Sequence, residues 1–505
     1  MPPATDALKK KFREGQRAQA IAECEALSQA HPADRELKRL CAMMHVVMRD
    51  FGRALVFLRQ IRDPGNENAD VLFNIGLCER ELKNFRAAQE CFRIYTEKFP
   101  DPDGWAARGY CETELGQPHE AIASFGEALK LAPNLADVRV ARGDLLHGLG
   151  DLAQAAADYK AALALVPNDD ATLKKATLCL LELNRGEEGI QLCRDVLKVH
   201  PDSLTAKLGA EWLLSRLVPL WHVPMMNEPE RNQAFFDGLA SAVTPDSTVF
   251  EIGTGSGLLA MMAAKLGAKQ VVTCEAVALI AGTAAKIVAR NGYQDRIKVL
   301  AKPSHAVELG TDLPEKADIL VHEIFSSELL GEHVLPAIED AKARLLKPGG
   351  RVVPAAASIM VALVGGTTLG RNLHVHESFG FDLRDFNAIH PRKRPLYRED
   401  LSPVLMSDAV EAFRFDFCNN SVFPAQKKRL DIPVTQGGLC HGVIQWIRIE
   451  LAEGVVFENH PSRSRPVSNW QHTVYGFNAP VHFELGAVVA VNAMHDRARP
   501  WFERA

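Results

Sequence analysis

Prolines at 32, 64, 100, 133, 167 and 201 recur every 32 to 36 residues, and a fixed period of that length marks a stack of similar supersecondary units. Each closes a segment of helical character, such as Ala128 to Pro133 or Ala162 to Pro167. Small residues at Ala20, Ala54, Ala88, Ala121, Ala155 and Gly189 stand 33 or 34 apart, and four residues after each comes Cys24, Leu58, Phe92, Phe125, Tyr159 or Cys193. An i, i+4 pair shares one helix face, so the small residue lets helices approach and the larger one fills the gap. Gly76, Gly109 and Gly143 recur at the same period in the preceding helix, and Gly116 and Gly150 fall in the turns within the hairpins.

This pattern resembles the tetratricopeptide repeat, in about six copies over residues 5–204. An all-α solenoid over residues 1–204 is the expectation. Two roles fit it: a groove that binds a peptide or docks a substrate protein, and a scaffold that shields or braces the next domain. Basic residues such as Lys174 and Lys175 read as solvated positions on helix faces, not as a binding code.

With 505 residues, 47% of them hydrophobic, the chain has room for several cores. The 58 Lys and Arg against 63 Asp and Glu leave a charge of -5, which gives no drive toward nucleic acid or an anionic membrane. The ten cysteines are scattered without a Cys-x-x-Cys pair and predict reduced thiols in a cytoplasmic protein. No charged-then-apolar leader opens the chain and no uninterrupted apolar run of about 18 residues appears, so neither export nor anchoring is expected.

From Trp221 the repeat rhythm gives way to alternating strands and helices. Thr248 to Ile252, Gln270 to Cys274, Ile297 to Ala301 and Ala317 to Val321 read as buried strands of a doubly wound parallel sheet. The first runs into Gly253-Thr-Gly255-Ser-Gly257-Leu258. A dinucleotide fingerprint needs glycine where Leu258 stands, so the loop favours S-adenosylmethionine over NAD. Glycines there let the backbone approach a ligand at a helix N-terminus. Glu275 closes the second strand 22 residues after Gly253, where an acid accepts hydrogen bonds from ribose hydroxyls. Arg231, on a helix before the first strand, suits the donor's carboxylate. Nothing in the pattern requires a metal.

Glu323 follows the fourth strand, and the loop Ile324 to Gly331 returns Glu332 toward it. Two carboxylates can face one cation. A guanidinium is a poor nucleophile because its charge is spread over three nitrogens, and bidentate contacts would orient it and draw charge from the reacting nitrogen. Like charges so close should raise one carboxylate's pKa. Glu328, the third acid of the loop, reads as a solvated charge.

Over residues 221 to about 490 the sequence resembles the protein arginine N-methyltransferases. The resemblance implies that Gly253, Gly255 and Gly257 form the donor loop, with Glu275 on the ribose and Arg231 on the carboxylate. It makes Glu323 and Glu332 a double-glutamate hairpin. The run Glu323-Ile-Phe-Ser-Ser-Glu-Leu-Leu-Gly-Glu332 is similar to the monomethylating branch, whereas repeats joined to Trp221 to Asn232 resemble the repeat-bearing, symmetrically dimethylating branch. Ser468 to Thr473 is similar to the family's Thr-His-Trp loop, which makes Trp470 the aromatic wall of an arginine channel. The family's histidine is Asn469 here and its acid partner is Glu228, so a proton-relay dyad is in doubt. Ser304, in preference to His305, falls where the family contacts adenine. Met225 is counted with the donor-binding residues and, with Ser326 and Trp470, sets the room around the acceptor nitrogen.

After Gly350 the pattern becomes short alternating strands, Ser358 to Val364, Gly442 to Leu451 and Val481 to Val491, which the resemblance makes a substrate-side β-barrel. The expected organisation is a repeat array at 1–204, a Rossmann-like donor-binding domain with N-terminal helices at 205–355, and the barrel at 356–505 with a dimerisation arm near 372–398. Many members of that family have two tandem catalytic modules and one is read here, so if two are needed to close the active-site ring a homodimer must supply the second. The leading expectation is methyl transfer from S-adenosylmethionine to arginine guanidinium nitrogens of a protein, with the repeats recruiting or positioning it. Transfer to a small amine or another acceptor, and a donor-binding but inactive repeat scaffold, are the alternatives.

Overall fold

The computed structural model describes residues 2–396, 402–462 and 468–505. The chain forms two compact units, Met1–Arg216 and Leu217–Ala505. The last two residues of the expected arm, 397 and 398, lie outside the described residues.

The first unit is built from helices in pairs, from Pro2–Arg13 and Arg17–Ala30 to Asp170–Glu182 and Gly186–Val199, followed by Leu204–Leu217. The side chains of Asp34, Asn68, Asp101, Asp151 and Asp169 each accept a first-turn N–H and start a helix. The periodic alanines and their i+4 partners are buried. Glycine supplies the closest fit. A Cβ on Gly109 would lie 2.6 Å from the Phe125 ring, and one on Gly76 or Gly143 2.8 Å from Phe92 or Tyr159. Thus in these three repeats the ring of the second helix presses on the first helix where only hydrogen leaves room. Cys24 and Cys41, core positions on successive helices with Cα atoms 5.8 Å apart, are joined in a disulfide. That corrects the expectation of reduced thiols at these two positions; the other eight cysteines are free.

The second unit opens with a parallel sheet of β1 (Thr248–Ile252), β2 (Gln270–Cys274), β3 (Ile297–Leu300), β4 (Ala317–His322) and β5 (Leu346–Val353). Their spatial order is β3-β2-β1-β4-β5. The chain winds first to one side of β1 and then to the other, so Phe250 lies between Val272 of β2 and Leu320 of β4. Ligands of open sheets bind at the C-terminal ends of the strands flanking such a reversal. Gly253, Glu275 and Glu323 each follow directly from one of those three ends.

Beyond the parallel sheet comes β6 (Ala356–Gly365), buried along its whole length. It belongs to a seven-stranded antiparallel sheet with Gly438–Ala452 and Thr473–Phe483, while Gln426–Pro433, Val488–His495 and Pro500–Arg504 form a three-stranded one. The single strand expected at Val481 to Val491 is instead the end of one strand and the start of another. Gly486, at φ 84°, allows the turn between them. One apolar cluster runs from Phe235 through the parallel sheet to Phe502, so both kinds of sheet share a core. Among the described residues no helix is long and apolar enough to cross a membrane.

Candidate active site

The three loop glycines have φ of 84°, 52° and 82° at Gly253, Gly255 and Gly257, a left-handed region that side chains disfavour. A Cβ on Gly253 would sit 2.7 Å from Ile324 Cγ2, so the loop after β1 also passes close against the segment after β4. Gly257 opens the helix Leu258–Lys265. Glu275 Oε2 accepts from Gly255 N at 3.1 Å and Oε1 from Val277 N at 3.1 Å. These bonds fix the carboxylate beside the glycine loop and leave it further lone pairs for hydroxyl donors. Ser304 lies half-buried in a single 3₁₀ turn after β3, its carbonyl accepting from Arg344 Nη2 at 3.1 Å.

Arg231 is buried on the helix Pro229–Ala242. Its Nη2 pairs with Glu323 Oε2 and its Nη1 donates to Asn232 Oδ1 at 2.9 Å. The guanidinium carbon lies 5.0 Å from the Phe235 ring centre and 5.5 Å from that of Trp470. Its Nε is buried without a hydrogen-bond partner. A buried guanidinium N–H left unmatched fits a site that takes an anionic group, as the carboxylate of a sulfonium donor would be. The arginine that sequence reasoning assigned to the donor therefore also neutralises one of the two glutamates.

The segment from β4 to the helix Val334–Arg344 is a tight hairpin. Leu329, Glu332 and His333 take φ of 72°, 56° and 58°, conformations that cost L-residues free energy and persist only when neighbours impose them. Gly331 fits because a Cβ there would lie 2.5 Å from Ser326 Cβ. The Ser326 hydroxyl accepts from the Gly331 N–H at 3.0 Å. Glu332 is thereby turned back toward Glu323. Burial raises the Glu323 pKa, Arg231 opposes the rise and the charge of Glu332 adds to it. Burial also raises that of Glu332, with His222 opposing. The like-charge repulsion expected from the sequence is present at Glu323, and desolvation is the larger cause at both.

Met225, Ser326, Glu332 and Trp470 line one cavity of about 1580 Å³. Glu323 and Arg231 lie off its lining, as do the glycine loop, Glu275 and Ser304. Trp470 is buried and donates from Nε1 to the Phe325 carbonyl at 3.0 Å, which fixes its ring against the hairpin. Asn469 donates to Glu228 Oε2 from both its backbone N and its Nδ2, at 3.1 Å each. An amide accepts no proton at neutral pH, so this contact ties the start of the helix Pro229–Ala242 to the tryptophan loop, and the amide relays no proton.

Two features escaped sequence reasoning. Glu328 is not a solvated charge: its Oε2 accepts from Lys393 Nζ at 2.6 Å. Sixty-five residues separate the partners, and no local pattern signals such a pair. Glu251, on β1, is buried, and neither carboxyl oxygen has a well-formed hydrogen bond. An acid inside an apolar strand was the signal available for it.

A glycine loop at a topological reversal, an acid on the next strand and an anion-seeking arginine define the class as a Rossmann-like methyltransferase. A family model described as ribosomal protein L11 methyltransferase matches residues 234–356, and a tetratricopeptide repeat model matches residues 73–136, 112–170 and 140–204. An arginine N(omega)-methyltransferase of Streptomyces achromogenes subsp. streptozoticus is 33% identical over 298 residues, covering 59% of this chain and 82% of that protein. Protein arginine N-methyltransferase 7 of Oryza sativa subsp. indica is 30% identical over 271 residues, 49% of this chain and 38% of the relative. Protein arginine N-methyltransferase 9 of Mus musculus is 24% identical over 401 residues, 71% of this chain and 47% of the relative. The chain thus spans less than half the length of these last two. A solved Trypanosoma brucei PRMT1 enzyme-prozyme complex with AdoHcy aligns at TM-score 0.49 and 19% identity over 56% of this chain and 97% of that one. The chain belongs to the arginine N-methyltransferase family. Its methyl donor is S-adenosylmethionine.

Proposed function

We propose that the second unit methylates guanidinium nitrogens of arginine in a protein, and that the repeats recruit or position that protein. The observation that carries this reading is the hairpin that turns Glu332 back toward Glu323 beside the buried ring of Trp470. S-adenosylmethionine, when bound, supplies an electrophilic methyl group. Gly253, Gly255 and Gly257 admit it to the backbone, Glu275 holds its ribose hydroxyls, Ser304 meets its adenine and Met225 packs beside it. Arg231 takes its carboxylate with the N–H that now lacks a partner. The acceptor guanidinium is held by Glu323 and Glu332 and walled by Trp470. The two carboxylates orient it and bias its positive charge away from the reacting nitrogen. Asn469 and Glu228 brace this wall, and because the Asn469 amide takes no proton, the one displaced from the methylated nitrogen passes to the Glu332 carboxylate on the cavity lining and from there to solvent.

A second reading has free arginine or a similar small guanidine as the acceptor. It is favoured by the Streptomyces relative, whose name gives arginine without protein and of which the chain covers the largest share among these three relatives. Competition separates the two. Labelled methyl should enter arginine-rich protein in the presence of a large excess of free arginine. Label appearing only in free methylarginine would replace the first reading with the second.

The segment 374–390 presents Phe379, Phe381, Phe386 and Ile389 with 99%, 70%, 63% and 75% of their surfaces exposed. Bare aromatic side chains on a two-stranded projection suit docking on a second copy of this chain. Replacing Phe379, Phe381 and Phe386 together by serine is expected to shift the sedimenting species from dimer to monomer. A wild-type chain that sediments as a monomer at micromolar concentration would remove the arm reading.

A further inference from the structure

We propose that the ion pair between Glu328 and Lys393 is a positioning element that holds the turn of the glutamate hairpin in place, so that Glu332 is presented to the acceptor. It rests on the arginine-transfer reading for its functional consequence, though not for its structural one. Lys393 has a firm base. It lies on the strand Lys393–Pro395, in register with Tyr475, and its ammonium stands 5.6 Å over that residue's ring. Tyr475 is buried and donates to Gln445 Oε1 at 2.9 Å. Its ring is therefore a fixed platform for the cation.

The hairpin's own bonds, from the Gly331 N–H to the Ser326 hydroxyl at 3.0 Å and from the Leu329 N–H to the Ser326 carbonyl at 2.9 Å, tie the turn only to itself. Trp470 Nε1 bonds the Phe325 carbonyl and Gln471 N bonds the Ser327 hydroxyl at 2.9 Å, so both contacts grip the outgoing limb. Glu328 stands next, at the head of the return, and the three left-handed residues Leu329, Glu332 and His333 all come after it. The pair at Glu328 carries restraint onto that strained limb. Only 26% of the Lys393 side chain and 23% of the Glu328 side chain is exposed, so solvent screens the pair less than an ordinary surface bridge. Lys393 also lies three residues past His390, at the root of the aromatic projection. The projection is thereby connected to the hairpin through Lys393.

Glu328 lines the same cavity as Glu332, and the alternative is that it touches the acceptor directly. The test uses the full chain and two readouts. Hydrogen exchange at the Leu329 and Gly331 amides is expected to rise about tenfold in Lys393→Met and in Glu328→Gln. It should return toward wild type in Lys393→Arg, which keeps both the ion pair and the cation over the Tyr475 ring. In methyl transfer, the two single variants should lose about tenfold in kcat with the KM for donor unchanged, and Lys393→Arg should keep most of it. Unchanged exchange in both single variants would overturn the proposal. So would a loss of kcat in Glu328→Gln with none in Lys393→Met, which would make Glu328 an acceptor contact. Exchange is read whether or not the chain turns over, so altered exchange without any wild-type transfer would fault the proposed activity and leave the pair standing.

Discussion

Glu332→Gln is expected to lower methyl transfer at least a hundredfold while leaving donor affinity within about twofold. The substitution keeps the shape of the side chain and removes the charge that would hold the acceptor. In the proposed arrangement donor binding rests on other groups, the glycine loop, Glu275 and Arg231. Glu323→Gln should behave differently. Arg231 is buried against Glu323, and deleting one partner of a buried pair costs about 3 kcal/mol because the other is left uncompensated. That variant should lose stability as well as turnover, and its donor affinity should change because Arg231 is released. The pH profile supplies a second check. Transfer requires ionised carboxylates, and burial raises both pKa values above the ordinary 4.5. Activity is therefore lost as pH falls through the raised values, and the acid limb of kcat/KM should lie above that of a free glutamate. A Glu332→Gln enzyme with unchanged kcat would remove this residue from the acceptor site.

Glu251→Gln is expected to stabilise the chain at pH 8 by roughly 3 kcal/mol. Burial pushes the Glu251 carboxyl up to about 8 from an ordinary 4.5, and the charges of Glu275 and Glu323 add to the rise. The Thr273 hydroxyl offsets part of it, but that hydroxyl is also bonded to Thr254 Oγ1 at 2.6 Å and forms no well-directed bond to Glu251. The folded-state pKa is raised, so the stability associated with this group is full below about 4.5 and is lost as pH climbs to about 8. Glutamine carries no such dependence. Urea unfolding of the second unit at pH 5 and pH 8 should show wild-type stability falling between the two and the variant's falling less. An equal fall in both, or a variant weaker at pH 8, would contradict a carboxyl protonated by its surroundings.

Much of this architecture was legible because it rests on local periodicity. The prolines and small residues of the first unit recur since each repeat is the same unit, and the rings of Phe92, Phe125 and Tyr159 settle where Gly76, Gly109 and Gly143 leave space. The donor side was legible for a similar reason: strand, glycine turn, helix and acid are neighbours in sequence. The pairings that complete the acceptor side are distant. Arg231 meets Glu323 across 92 residues, Asn469 meets Glu228 across 241, and Lys393 meets Glu328 across 65. None leaves a periodic trace, so Arg231 was assigned one role where the fold gives it two, and Glu328 was taken for a solvated charge. Cys24 and Cys41 were misread because a core position and a half-disulfide look alike in one sequence.

The most direct measurement is acid hydrolysis of an arginine-rich protein after incubation with the full chain and methyl-labelled S-adenosylmethionine, with separation of the labelled amino acids. Label in ω-N-methylated arginine, and none with Glu332→Gln, is the predicted result. Label only in other residues, or none on arginine while the donor is demonstrably bound, would contradict it.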